Sequence, residues 1–170
     1  MNKIIFLLAI IPCVIACESK KATNMLTKEI DSNWSFKEIN GTHSGIATVP
    51  GTIHTDLLAN SFIENPFYRI NEKHQQWIDK KDWEYATIFN ISNEEFNKSN
   101  IILDFKGLDT YADVYVNGSL VLQADNMFRE WEVDIKFLAS LGNNTLKVVL
   151  HSPIKKGLKL LENYYPLPAI

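Results

Sequence analysis

Residues 113–123, DVYVNGSLVLQ, constrain the fold more than any other stretch of the chain. Asn117-Gly118 is a pair that accepts positive φ at both central positions of a two-residue turn, so the apolar runs on either side read as two antiparallel strands. The same period of two recurs elsewhere. In WSFKEI, Trp34 and Phe36 alternate with Ser35 and Lys37. In WEYATIFNI, Trp83, Tyr85, Thr87, Phe89 and Ile91 share one face, opposite Glu84, Ala86, Ile88 and Asn90. Ile101, Leu103 and Phe105 alternate in NIILDF, and WEVDI and TLKVVLH complete the set of strands. KFLASLGNN between the last two is expected to form a turn of helix closed by Gly142. TIHTDLLANSF reads as a short helix with Thr52 as N-cap and Ile53, Leu57 and Leu58 on one side. The spacing predicts an all-β fold with one or two short helices, an antiparallel β-sandwich of jelly-roll type.

Composition fits one domain with its own core: 170 residues, 46% hydrophobic and 22% charged. The net charge is −3 and the 17 Lys and Arg are scattered without a basic stripe, which argues against a nucleic-acid partner.

The N-terminus reads as an address. After Lys3, the apolar run IIFLLAIIPCVIA is shorter than the roughly 20 residues a membrane-crossing helix needs, and it has the character of a secretory signal. It ends in VIAC, Val14 to Cys17, which resembles a bacterial lipobox. The expectation is a lipoprotein signal peptide over 1–16, lipid attachment at Cys17, a polar tether over 17–32 and a sandwich over 33–170. Export to the periplasmic or cell-surface side would follow, with membrane contact through the lipid alone. An ordinary signal peptide is the alternative. Because Cys13 leaves with the signal and Cys17 is acylated, the mature chain has no disulfide and rests on its core.

Chemistry-bearing patterns are sparse. Glu94-Glu95 lies in a polar turn, and adjacent strand residues would point to opposite faces. Asp79, Asp82 and Glu84 alternate with Lys80 and Lys81 in a mixed-charge run that reads as solvated surface. His43, His54, His74 and His151 have no metal-ligand spacing. There is no nucleophile elbow and no phosphate loop. The reading is therefore no metal, no cofactor and no catalytic residue in this chain.

Three segments carry a family resemblance: VPGTIHTDLLANSFIENPFY, NEKHQQWIDKKDWEY and GLDTYADVYVNGSLVLQADNMFREWEVDI. Together they resemble the N-terminal sugar-binding, galactose-binding-like jelly-roll domain of glycoside hydrolase family 2, most closely its β-mannosidase branch, over Trp34 to Pro153. VPGT and the VNG hairpin are shared widely in that family. WIDKKDWEY, GLDTYADVYVNG and NMFREW are more specific to the branch.

The resemblance implies a parent enzyme that is a retaining, exo-acting β-mannosidase. Its chemistry needs two carboxyl groups about 5 Å apart, carried in the family on a later (β/α)8 barrel. The chain stops at Ile170, before a barrel and before a segment of WDWGP type. It is thus expected to be a non-catalytic fragment whose partners are the downstream barrel and mannose-containing glycans. The sandwich is expected to be incomplete at its C-terminus, with TLKVVLH beside an unfinished edge. A free-standing carbohydrate-binding lipoprotein is the alternative.

In the family, loops matching FYRINEKHQQW and QADNMFREW reach toward the barrel's mouth. The resemblance therefore makes Asn71, Glu72, Trp77, Asp125, Asn126, Arg129 and Trp131 candidates for a pocket wall. Asn and Asp would bond sugar hydroxyls and Trp would stack on a pyranose. Each has a structural alternative: packing for Trp77 and Trp131, turn bonding for Asp125-Asn126, an exposed pair for Arg129 and Glu130, and a helix cap for Asn71.

Overall fold

Alternation along Trp83–Ile91 builds the centre of the molecule, because every second residue of that strand is buried. The structure is a computed structural model and describes residues 25–163. Its strands are β1 (Ser35–Glu38), β2 (Ser44–Ile46), β3 (Trp83–Ile91), β4 (Ile102–Phe105), β5 (Tyr111–Val116), β6 (Ser119–Ala124), β7 (Trp131–Asp134) and β8 (Gly142–His151). Six form an antiparallel sheet in the order β2-β1-β3-β8-β5-β6, and β4 pairs with β7 in a second sheet. Trp83, Tyr85 and Phe89 of β3, Leu146 and Val148 of β8 and Val114 and Val116 of β5 share one core with Leu103 of β4, Leu57 and Ile78. Among the described residues, no helix is long and apolar enough to cross a membrane.

The β5–β6 hairpin turns at Asn117-Gly118 with φ of 50° and 82°, as the sequence requires. Asn117 does more than turn the chain. Its Nδ2 donates to Leu138 O and Asn144 Oδ1, both at 2.8 Å, and its Oδ1 accepts from Thr145 N at 2.9 Å, tying the hairpin to the start of β8.

Three expectations are corrected. The first is the close of the turn of helix in KFLASLGNN: one turn does form, with Leu138 N and Ala139 N on Ile135 O, but it ends before Gly142, which opens β8 instead. The fully buried Asn144 side chain bonds both the N–H and the carbonyl of Ser140, groups a helix would use itself. The second is Leu58. Helix α1 (Ile53–Ala59) does start at Thr52 with a capping box, but it buries Leu57 and Asp56 while Leu58 is exposed. Asp56 earns its buried place by accepting from Tyr85 Oη at 2.8 Å and from Thr48 N at 2.9 Å. The third is the expected edge at TLKVVLH. β8 lies inside the sheet, paired with β3 on one side and β5 on the other, because sheet order departs from chain order.

α2 (Asn71–His74) is the short helix offered as the alternative for Asn71, and helical elements outside the sequence reading are the 3₁₀ turn Ile78–Lys80, α3 (Asn93–Phe96) and α4 (Pro153–Asn163). Ser152 Oγ accepts from Lys155 N at 3.1 Å ahead of Pro153, an N-cap followed by proline at the first helical position. That Ser-Pro pair was the available signal for α4. Asp82, expected to be a solvated charge, instead holds this helix start. Its carboxylate accepts from Ser152 N at 2.8 Å and Lys155 Nζ at 3.3 Å. Burial pulls its carboxyl up, and those partners together outweigh burial and leave it below the usual range.

Candidate functional site

One row of the sheet decides which loops meet. Glu38 pairs with Trp83, Trp83 with Leu150, Leu150 with Ala112 and Ala112 with Ala124. The end of β1, the start of β3, the end of β8 with α4, the start of β5 and the end of β6 therefore lie along one edge of the sandwich. Both candidate loops, 60–82 before β3 and 125–130 after β6, stand at that end. Three strand steps separate β3 from β6, so the loops leave the sheet about 14 Å apart, given roughly 4.8 Å per strand.

The structure groups the seven candidates into two clusters, and among the described residues no hydrogen bond, ion pair or ring contact joins them. In the first, Asn71 is buried as the opening residue of α2, with Ile70 rather than Asn71 at the cap position. Its Nδ2 donates to Asn65 O at 2.9 Å. Glu72 is exposed. Trp77 is half-buried, with one face stacked on the His43 ring (5.0 Å between centroids, 26° between planes) and Trp83 tilted against it at 6.1 Å and 48°. In the second, Asn126 Oδ1 accepts from Phe128 N at 2.8 Å and Trp131 Nε1 donates to Asn126 O at 3.1 Å. The Arg129 guanidinium lies 4.0 Å over the Trp131 ring. Asp125 is exposed. Lys106 Nζ meets Asp104 at 2.6 Å and Glu130 at 3.3 Å, which ties the 106–110 loop to this cluster. Phe67 and Phe128, at 96% and 89% exposed, are the apolar tips of the two loops.

Asp125 also borders a cleft of about 470 Å³ between β5, β6, β8 and α4. On its wall Asp113 accepts from Gln123 Nε2 and pairs with His151 Nε2, both at 2.8 Å. Burial pulls the Asp113 carboxyl up, and these partners outweigh it and hold it low.

Sequence reasoning missed a buried ionic node beside Trp77. The Glu38 carboxylate, 3% exposed, meets His43 Nδ1 at 2.6 Å and Lys81 Nζ at 2.7 Å. Hydrogen bonds from Lys81 and then His43 pull its carboxyl down to about 2 against the opposing effect of burial. No local pattern marks this node: alternation puts Glu38 in step with Trp34 and Phe36 on the buried face, but its charge partners His43 and Lys81 come from other segments of the chain.

These elements define an antiparallel β-sandwich with short helices and a loop-bearing end. A family model described as "Glycosyl hydrolase 2 galactose-binding domain-like" matches residues 34–168. The chain belongs to that family, as an N-terminal domain of β-mannosidase-like glycoside hydrolases. Among curated relatives it is 34% identical over 132 residues to a probable beta-mannosidase of Caenorhabditis elegans, covering 78% of this chain and 15% of that protein. It is 38% identical over 141 residues to beta-mannosidase B of Emericella nidulans, covering 79% of this chain and 16% of that protein. Among solved structures, beta-D-mannosidase from Dictyoglomus thermophilum superposes with a TM-score of 0.75 at 39% identity, over 81% of this chain and 17% of that one. A beta-D-glucuronidase from the same organism, at 20% identity and a TM-score of 0.54, shares the fold alone. The chain thus spans about a sixth of the length of the proteins it matches.

Proposed function

We propose that this chain is the non-catalytic, N-terminal part of an exo-acting β-mannosidase, with a downstream barrel as its partner and terminal β-mannosides of glycans as the substrate. The observation that carries the reading is its fold match, at 39% identity, to a β-D-mannosidase of which it covers 17%. The loops 60–82 and 125–130 stand at one end of the sandwich, where they would wall the barrel's active site. Their separation of about 14 Å exceeds the width of one sugar ring, so they act as two patches of a broad rim rather than as one pocket. Glu72 and Trp77, beside the buried Asn71, form one patch; Asp125, Asn126, Arg129 and Trp131 form the other. Cys17 and the signal before it lie outside the described residues, and lipid attachment there is part of the proposal.

The test compares two chains on an aryl β-mannoside. The 170-residue chain should leave it at the uncatalysed rate, and a chain extended through the downstream reading frame should hydrolyse it with retention of configuration. Turnover by the short chain, abolished by one Asp or Glu substitution, would overturn the reading. So would an extended chain that spares β-mannosides and cleaves another glycoside.

A further inference from the structure

We infer that Glu38 is a positioning residue for Trp77, acting through His43, and that Gly41 is glycine in order to leave room for it. Glu38 sits at the inner end of β1, where its carboxylate is held between His43 Nδ1 and Lys81 Nζ. An ionised carboxylate only accepts hydrogen bonds, so Nδ1 of His43 carries the proton and the ring's orientation is fixed by that bond. The ring so fixed has two aromatic neighbours. It stacks on Trp77 and takes Phe62 edge-on at 5.0 Å and 87°. Phe62 and Lys81 lie near opposite ends of the 60–82 segment, so one carboxylate and one imidazole pin both its limbs and the tryptophan between them.

Gly41 completes the cradle. A Cβ there would stand 2.0 Å from Glu38 Cδ and 2.2 Å from Oε2. A free glutamate would swing away from such a methyl at little cost. This one cannot move without leaving both Lys81 and His43. Gly41→Ala should therefore reproduce the effect of removing the charge, without touching any residue that contacts Trp77.

The consequence for sugar recognition rests on the rim proposed above; the positioning itself does not. The experiment records indole and amide ¹H–¹⁵N resonances of the full chain, with Trp77→Phe to assign the Trp77 indole. Glu38→Gln and Gly41→Ala should each shift that indole peak and speed amide exchange across 62–81 about tenfold or more, while the Trp131 indole and the amides of β5 and β8 stay as they were. An unmoved Trp77 peak in Glu38→Gln overturns the inference. So does an equal disturbance of Trp77 and Trp131, which would mean general loosening. Adding β-1,4-mannobiose separates the two ideas. If the sugar moves the Trp77 peak in the parent and fails to do so in the variants, positioning extends to recognition. A sugar that moves no peak in any chain counts against the rim, and leaves the Glu38 result to stand or fall by the shifts already recorded.

Discussion

Asn144 offers a sharp test of how the hairpin is tied to the centre of the sheet. Its side chain is 1% exposed and fully bonded. Oδ1 accepts from Ser140 N at 2.7 Å and Asn117 Nδ2 at 2.8 Å, and Nδ2 donates to Ser140 O at 2.7 Å and Gly142 O at 2.9 Å. Asn144→Ala removes all four. At about 1 kcal/mol net for each, the sum overstates the loss, since Asn117 Nδ2 keeps Leu138 O and water can reach exposed Ser140; about 2 kcal/mol is expected. Asn144→Asp keeps the shape and both accepted bonds, yet turns a carboxylate on two carbonyls in a buried site, for about 3–5 kcal/mol near neutral pH. The two variants then part with acid. That buried carboxyl would have a folded-state pKa raised above the unfolded value. Its penalty is complete above the folded pKa and disappears as pH falls toward the unfolded one, near 4. Urea unfolding followed by tryptophan fluorescence at neutral pH and near pH 4 measures both. Aspartate should be the worse variant at neutral pH and should recover relative to alanine in acid. An aspartate variant as stable as the parent at neutral pH would refute the bonding scheme.

Three further outcomes are expected. Gly51→Ala places a methyl carbon 2.3 Å from the backbone oxygen of Thr48, at the corner that hands Thr48 N to Asp56. It should cost about 1–3 kcal/mol, read as a lowered melting temperature, with Gly51→Ser no better. Glu38 titrates at about 2 in the fold against 4.5 ordinarily. Its contribution is present above about 4.5 and lost as pH falls toward 2, about 3 kcal/mol in all, and Glu38→Gln should flatten that acid limb of the stability curve. Cys17→Ala should release the exported protein from membranes in fractionation, since one acyl chain anchors marginally and several anchor firmly; equal membrane retention of both forms would count against the lipid anchor.

The strands were legible where one face meets the core. Each alternate residue of Trp83–Ile91 is buried because the pattern and the burial have the same physical cause. The hairpin and the Thr52 cap were legible because their chemistry is local. What stayed hidden depends on partners remote in the chain. Asp56 is buried only because Tyr85 and Thr48 reach it, and Glu38 only because His43 and Lys81 do. Single-residue polarity assigns both to the surface. The position of β8 was hidden for a related reason, since alternation specifies a strand and its face but not its neighbours. For the candidate loops, the sequence named two segments, and the register row put both at one end; the spacing between them belongs to strand order and lay beyond any local pattern.

That strand order has a consequence for synthesis. Among the described residues β8 is made after the other strands, yet it lies between β3 and β5, with Trp83 matched to Leu150 and Val114 to Val148. Until it leaves the ribosome, β1 to β3 and the β5–β6 hairpin are two half-sheets, each presenting a bare inner edge of unpaired amides and carbonyls. At roughly 5–20 residues per second, the span from β3 to β8 keeps those edges open for several seconds in a nascent chain. Completing the sheet therefore requires the insertion of one ten-residue segment between two waiting halves, a non-local pairing of the kind that forms slowly. A chaperone that shields the β3 and β5 edges until then would govern yield, and mutations in β8 would show themselves first as lost expression rather than as a lowered melting point.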